Sequence, residues 1–113
     1  MSSPRRKLRD DDAAGVFSAL GDGTRLTLVQ RLTDGGPRTA TELAADLPVT
    51  RQAVGKHLKV LEDAGLVAHR AEGRAVLYEL DPARLSAARA YLDTISAAWD
   101  RRIERLRALV EDD

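Results

Sequence analysis

Cysteine is absent from the 113 residues, which excludes disulfides, thiolate metal ligands and thiol-based redox chemistry. Aromatic side chains are scarce: four in all, with a single tryptophan, Trp99. No apolar run approaches the ~20 residues a membrane span needs, and no apolar stretch follows the basic N-terminus as a secretory signal would require. The expectation is a cytoplasmic chain without a membrane partner. Catalytic equipment is thin too. Two histidines, no Gly-rich phosphate loop and no evident acid/base pair argue against an enzyme, with no catalytic residues and no cofactor expected. Neither sign of charge is in excess, since 18 Lys and Arg offset 18 Asp and Glu. The distribution is uneven, however. Five Lys/Arg and two His face three acids between Arg51 and Arg74, whereas the segment from Asp81 onward is slightly acidic.

What is present reads as helices with good caps. The length suits one domain, expected over 10–113 after a flexible basic tail at 1–9. Asp10, Asp11 and Asp12 supply an N-cap and favourable first-turn charge for a helix to about Leu20, with Val16, Phe17 and Leu20 as its apolar stripe. Asp22 is placed to cap a second helix, Thr24 to Thr33, whose apolar positions are Leu26, Leu28, Val29 and Leu32. Thr39-Ala40-Thr41-Glu42 fits a capping box that opens a third helix, to about Leu47. After Pro48-Val49, Thr50 caps a fourth helix over Arg51–Ala64, with Val54, Leu58 and Leu61 inward and Gly65 as its stop. Two β-type runs, Leu66–Ala71 and Ala75–Leu80, meet through Glu72-Gly73-Arg74, where Gly73 provides the positive φ of a hairpin turn. Asp81-Pro82 then opens a last helix that nothing breaks until about Val110. The fold class is mainly α with a small β-hairpin: four helices, two strands, one helix.

Thr39 to Leu58 has the spacing of a helix-turn-helix, two short helices joined by a tight turn. Once Val54, Leu58 and Leu61 are turned inward, Arg51, Gln52, Gly55, Lys56 and Lys59 share the outer face of the second helix. Arg pairs bidentately with guanine and Gln with adenine, while Lys suits phosphates. The position of Arg51 and Gln52 at the N-terminal end matters, because that end of a recognition helix points into the major groove. Thr50, at the cap, joins this set. Gly55 costs ~1 kcal/mol relative to Ala in mid-helix, which suggests close approach of backbone to a phosphate. His57 borders the apolar face and is expected to pack or cap. A hairpin directly after a recognition helix forms a wing, so Arg70 and Arg74 are candidates for the flanking DNA backbone or minor groove.

Several runs of this sequence resemble one family. Ala19-Leu20-Gly21-Asp22-Gly23-Thr24-Arg25-Leu26, Thr41-Glu42-Leu43-Ala44, Val54-Gly55-Lys56-His57-Leu58-Lys59-Val60-Leu61-Glu62-Asp63-Ala64-Gly65-Leu66-Val67 and Glu72-Gly73-Arg74 are similar to the ArsR/SmtB repressors, without a gap from residue 16 to 81. The resemblance implies a winged helix-turn-helix, a symmetric dimer built from the first and last helices, and repression by occupying a palindromic operator. Many members release DNA when a metal or another inducer binds. Two positions depart from the pattern: Pro48 stands where the turn usually has Gly, and Gly55 where the recognition helix usually has a small hydroxyl residue. The family's metal sites are missing as well. Residues 42–47 hold no cysteine, and no histidine follows Asp81, so no metal site is expected.

The last helix carries Leu85, Ala88, Leu92, Ile95, Trp99, Ile103, Leu106 and Val110, spaced 3, 4, 3, 4, 4, 3 and 4. This is a nearly heptad seam on a helix ~40 Å long, more than so small a core covers. Residues 82–110 are therefore expected to form a homodimer interface through Leu92, Ile95, Trp99, Ile103 and Leu106, joined by Val16, Phe17 and Leu20. The reading is a dimeric, sequence-specific repressor of double-stranded DNA. A winged-helix protein-interaction module and a repressor gated by an unidentified small molecule are the alternatives. The polar, basic outer face of the fourth helix argues against the first of them.

Overall fold

Local signals account for most of the element boundaries in the computed structural model, which describes residues 8–111. Five helices and one hairpin run in the order α1 (Asp10–Leu20), α2 (Gly23–Gly35), α3 (Ala40–Ala44), α4 (Arg51–Asp63), β1 (Val67–Glu72), β2 (Ala75–Leu80) and α5 (Pro82–Glu111). The Asp22 side chain accepts from the Arg25 N–H at 3.0 Å and so caps α2. At α3 both arms of the capping box are made: the Glu42 N–H donates to the Thr39 hydroxyl at 3.1 Å, and the Thr39 N–H donates to the Glu42 carboxylate at 2.9 Å. Thr50 caps α4 by accepting from the Ala53 N–H at 3.0 Å. Asp81 accepts from the Ala83 N–H at 3.0 Å, ahead of Pro82 at the first position of α5.

The strands pair antiparallel from Val67 opposite Leu80 to Glu72 opposite Ala75, leaving the two-residue loop Gly73-Arg74. Gly73 has φ 62°, the positive value that a tight hairpin loop requires. Arg38 forms an isolated antiparallel bridge to β2, with reciprocal N–H···O bonds to Tyr78 of 3.0 and 2.8 Å. That bridge ties the hairpin to the start of α3.

The core lies where α1, α2, α3 and α4 meet the hairpin base. Val16, Leu28, Leu43, Val54, Leu58, Leu61 and Leu66 are fully buried. Each contributes about 1.5–3 kcal/mol by leaving water. No polar or charged side chain is buried among the described residues.

Several expectations require correction. The N-cap of α1 is Arg9, without a side-chain hydrogen bond, and Asp10–Asp12 form the first helical turn. Leu8 is buried in the core, so the flexible tail expected over 1–9 does not reach that residue; residues 1–7 lie outside the described chain. Leu26 is 44% exposed, and Leu28 takes the core position instead. On α1, Val16 has no exposed surface, whereas Phe17 and Leu20 remain half-buried. Val16 therefore has nothing to offer a partner. The third helix ends at Ala44, not Leu47, because Ala45 is extended and Asp46 is left-handed at φ 65°. Asp tolerates this conformation better than most residues, and Asp46 rather than Pro48 makes the sharp turn.

Candidate nucleic-acid interface

Helix α4 separates its residues cleanly. Val54, Leu58 and Leu61 are fully buried, while Arg51, Gln52, Lys56 and Lys59 are exposed on the outer side. Thr50 is exposed as well, its hydroxyl oxygen engaged as the cap and its proton free to donate. Gly55 is half-buried, and a Cβ built there would meet nothing within 4 Å. Its own chain does not require glycine at that point, so the mid-helix cost has no intramolecular explanation. The Lys59 ammonium stands 3.5 Å from Asp63 one turn along, with both side chains well exposed. Such pairs contribute little, and Lys59 remains available to an anion.

His57 is half-buried against the start of α2. The Arg25 guanidinium donates to its Nδ1 at 3.2 Å, and the Asp22 carboxylate lies 3.9 Å away. An Nδ1 that accepts belongs to the neutral ring with its proton on Nε2. The Arg25 N–H holds the Asp22 carboxyl below its ordinary range, and the charge of the Arg25 guanidinium adds to the effect. Sequence reading placed His57 as a packed residue but passed over Arg25. Its Nε also donates to the Ala19 carbonyl at 2.7 Å, joining the end of α1 to α4.

The wing distributes its charges unequally. Arg74 is exposed in the loop and makes no salt bridge among the described residues. Arg70 lies between Glu79 at 2.8 Å and Glu72 at 3.5 Å. The hydrogen bond from Arg70 to Glu79 raises the Arg70 pKa further. This pairing reflects the register: Arg70 is opposite Leu77, so Glu79 is its diagonal neighbour and Glu72 shares its face. His69 joins the wing to the far end of α4, with Nδ1 2.7 Å from the Glu62 carboxylate and its ring 5.7 Å from Tyr78.

The long helix offers a different surface. From Leu92 onward α5 leaves the core, and Ile95 and Trp99 are 53% and 60% exposed. Leu92 and Leu106 are about half exposed as well, and Ile103 is half-buried. Where α5 still touches α1, the Phe17 and Tyr91 rings meet at a tilt of 51° with centroids 6.0 Å apart, and the Tyr91 hydroxyl donates to Asp10 at 3.0 Å.

Comparison with known proteins gives a consistent set of similarities. Residues 20–70 match a family described as a helix-turn-helix domain. The chain is 44% identical over 98 residues to the HTH-type transcriptional regulator Rv2034 of Mycobacterium tuberculosis, covering 87% of this chain and 88% of that protein. It is 30% identical to the arsenical resistance operon repressor of Escherichia coli, over 86% of this chain and 80% of the other. Among solved structures, an ArsR-like transcriptional regulator from Rhodococcus superposes with a TM-score of 0.80 at 37% identity, covering 91% of this chain and 96% of that one. The homodimeric winged helix-turn-helix DNA-binding domain of a possible ArsR-family regulator from Mycobacterium bovis gives a TM-score of 0.63 at 27% identity, over 92% of this chain and 93% of that one.

Proposed function

The chain belongs to the ArsR/SmtB family of winged helix-turn-helix, DNA-binding transcriptional regulators, and from that premise we propose that it is a homodimeric repressor of a palindromic operator, acting in the cytoplasm without a metal. The observation that carries the reading is the outer face of α4. Arg51 and Gln52 are exposed at the capped N-terminal end, with Lys56 and Lys59 behind them, on a helix whose opposite face is fixed in the core. Arg51 and Gln52 read base edges in the major groove, and the lysines meet phosphates. Thr50 and the Gly55 backbone approach the same strand, and Arg70 and Arg74 of the wing reach the flanking backbone.

The dimer rests on α5. Its apolar residues beyond Tyr91 find no core of their own, and an exposed stripe of this kind marks an interface. A second copy, packing Leu92, Ile95, Trp99, Ile103 and Leu106 with the half-exposed Phe17 and Leu20 of α1, covers it on both chains. The homodimeric neighbour from Mycobacterium bovis supports this assembly. Two recognition helices one DNA turn apart, ~34 Å, then address two half-sites.

Metal control, which the family often uses, does not fit the donors present. Soft metals want thiolate or imidazole. In the α3 region Glu42 is committed to its capping box and Leu43 is buried. Helix α5 has carboxylates but no histidine. His57 and His69 are occupied by Arg25 and Glu62.

A binding-site selection tests the reading. Wild type is expected to return a palindrome. Arg51→Ala or Gln52→Ala is expected to relax one position in each half-site, with a loss of ~1–3 kcal/mol per bidentate contact. An unchanged consensus for Arg51→Ala would remove that residue from base reading.

A further inference from the structure

The turn that delivers α4 to its reading position is poorly provided for by its own backbone. Helix α3 has five residues and no glycine at its end. The chain leaves it through extended Ala45 and left-handed Asp46. Within the turn, the Ala45 N–H donates to Glu42 at 3.3 Å and the Leu47 N–H to Ala44 at 3.1 Å. Neither bond satisfies the carbonyls of Leu43 and Ala45, and among the described residues no backbone N–H of the turn reaches them. The carbonyls of such a helix end turn to water or to a side-chain donor.

Arg31 provides such a donor. Its Nη1 donates to the Leu43 carbonyl at 3.1 Å and also to the Ala45 carbonyl. The guanidinium comes from α2, which Leu28, Val29 and Leu32 anchor in the core. A positive group at the C-terminal end of a helix is favourable, and hydrogen bonds from a charged donor are stronger than neutral ones. The two carbonyls flank Ala44, and that of Ala45 immediately precedes Asp46, so a donor shared between them restrains the chain where it turns. Thr50, Arg51 and Gln52 come within a few residues. Val54, Leu58 and Leu61 hold the rest of α4 in the core, and Leu47 and Val49 pack partly against it, so the turn at Asp46 acts together with these contacts in setting where the first helical turn lies.

We propose that Arg31 is a positioning residue for base reading: by clamping the Leu43 and Ala45 carbonyls it fixes the α3–α4 turn, and through it the placement of Arg51 and Gln52 against the bases. The proposal rests on the DNA-reading role of α4. It assigns Arg31 no contact with DNA. Its loss should therefore act on discrimination between sequences and spare the phosphate contacts, which depend on charge more than on placement.

The test compares affinity for the selected operator with affinity for an unrelated duplex of equal length, at one salt concentration, for full-length wild type, Arg31→Met and Arg31→Lys. Folding of each is checked by circular dichroism and thermal melting. For Arg31→Met the operator-to-unrelated ratio is expected to fall roughly tenfold or more, about the worth of one bidentate base contact. Affinity for the unrelated duplex and its salt slope should stay at wild-type values. Arg31→Lys keeps a cation able to hold one carbonyl and should recover part of the ratio. A role in stability alone would lower the melting temperature and leave the ratio intact below it. An unchanged ratio in folded Arg31→Met overturns the proposal, as does an equal loss on both duplexes. If Arg31→Met does not fold, Arg31→Gln is read by the same criteria. A wild type that selects no sequence would overturn the role of α4 and this inference with it. A wild type that selects one, beside a folded variant that discriminates equally well, overturns this inference alone.

Discussion

Helices α4 and α5 are both one-sided, and their sides are reversed. Helix α4 places Val54, Leu58 and Leu61 in its own core and shows solvent Arg51, Gln52, Lys56 and Lys59. Helix α5 beyond Tyr91 has no core to enter, and it shows Leu92, Ile95, Trp99 and Leu106 instead. The difference lies in where the rest of the chain sits, not in the helices as such. Three other helices and the hairpin base surround α4, whereas among the described residues only the first turns of α5 have a neighbouring element. A helix covered on its apolar side leaves polar groups for a polyanion. A helix left bare on that side needs another apolar surface.

The strongest way to break this comparison is to remove the anchor of the bare face. Trp99→Ala should lose about 3–5 kcal/mol for each copy buried in the dimer, and sedimentation should show mostly monomer. Specific DNA binding should fall with it while the helical signal of α4 is retained. A tight Trp99→Ala dimer with wild-type affinity would mean that α5 is not the interface.

A smaller effect is expected at the wing, where the charged side can be examined residue by residue. Each phosphate neutralised contributes about −0.9 to the slope of log affinity against log salt. Arg74→Ala should flatten the slope by about one such contact per wing engaged, and Arg70→Ala by less, because Glu79 and Glu72 already hold that guanidinium. Equal changes in a salt titration would show that Arg70 leaves its carboxylates when DNA binds.

The smallest effect concerns the start of α3. Thr39→Ala should cost ~1 kcal/mol of stability through the lost cap. The Thr39 N–H, and then its hydroxyl, hold the Glu42 carboxyl below its ordinary value. A lowered carboxyl stabilises the fold above its unfolded pKa and loses that contribution as pH falls through the folded one. The stability difference between wild type and Glu42→Gln should therefore be present at neutral pH and close in acid. A gap that persists in acid would mean the charge on Glu42 does not matter to the box.

Much of the fold was legible because its signals are short-range. Thr39 and Glu42 are three residues apart, as the box demands, and both of its bonds form. Gly73 lies in the hairpin loop as expected, although Glu72, read as part of that connection, pairs with Ala75 in the ladder, and Asp22, Thr50 and Asp81 cap the helices that begin just after them. The outer face of α4 was readable for the same reason, since helical periodicity alone separates Arg51, Gln52, Lys56 and Lys59 from Val54, Leu58 and Leu61. Other features gave no local sign. Leu26 and Leu28 both lie within the apolar pattern of α2, and only packing chose Leu28 for the core. Val16 was read together with Phe17 and Leu20, yet its neighbours in space enclose it completely.

By itself, then, the sequence determined the caps of α2, α3, α4 and α5, the two faces of α4, the place of the hairpin and the apolar seam of α5, because each depends on residues within a turn or two of one another. Tertiary structure alone decided the rest. It placed Asp46 in the left-handed turn, brought Arg25 to His57 across 32 residues and Arg31 to Ala45 across 14. It also left Trp99 without cover. Such choices depend on which distant side chains fill the remaining space and satisfy the remaining carbonyls, and no local spacing carries that information.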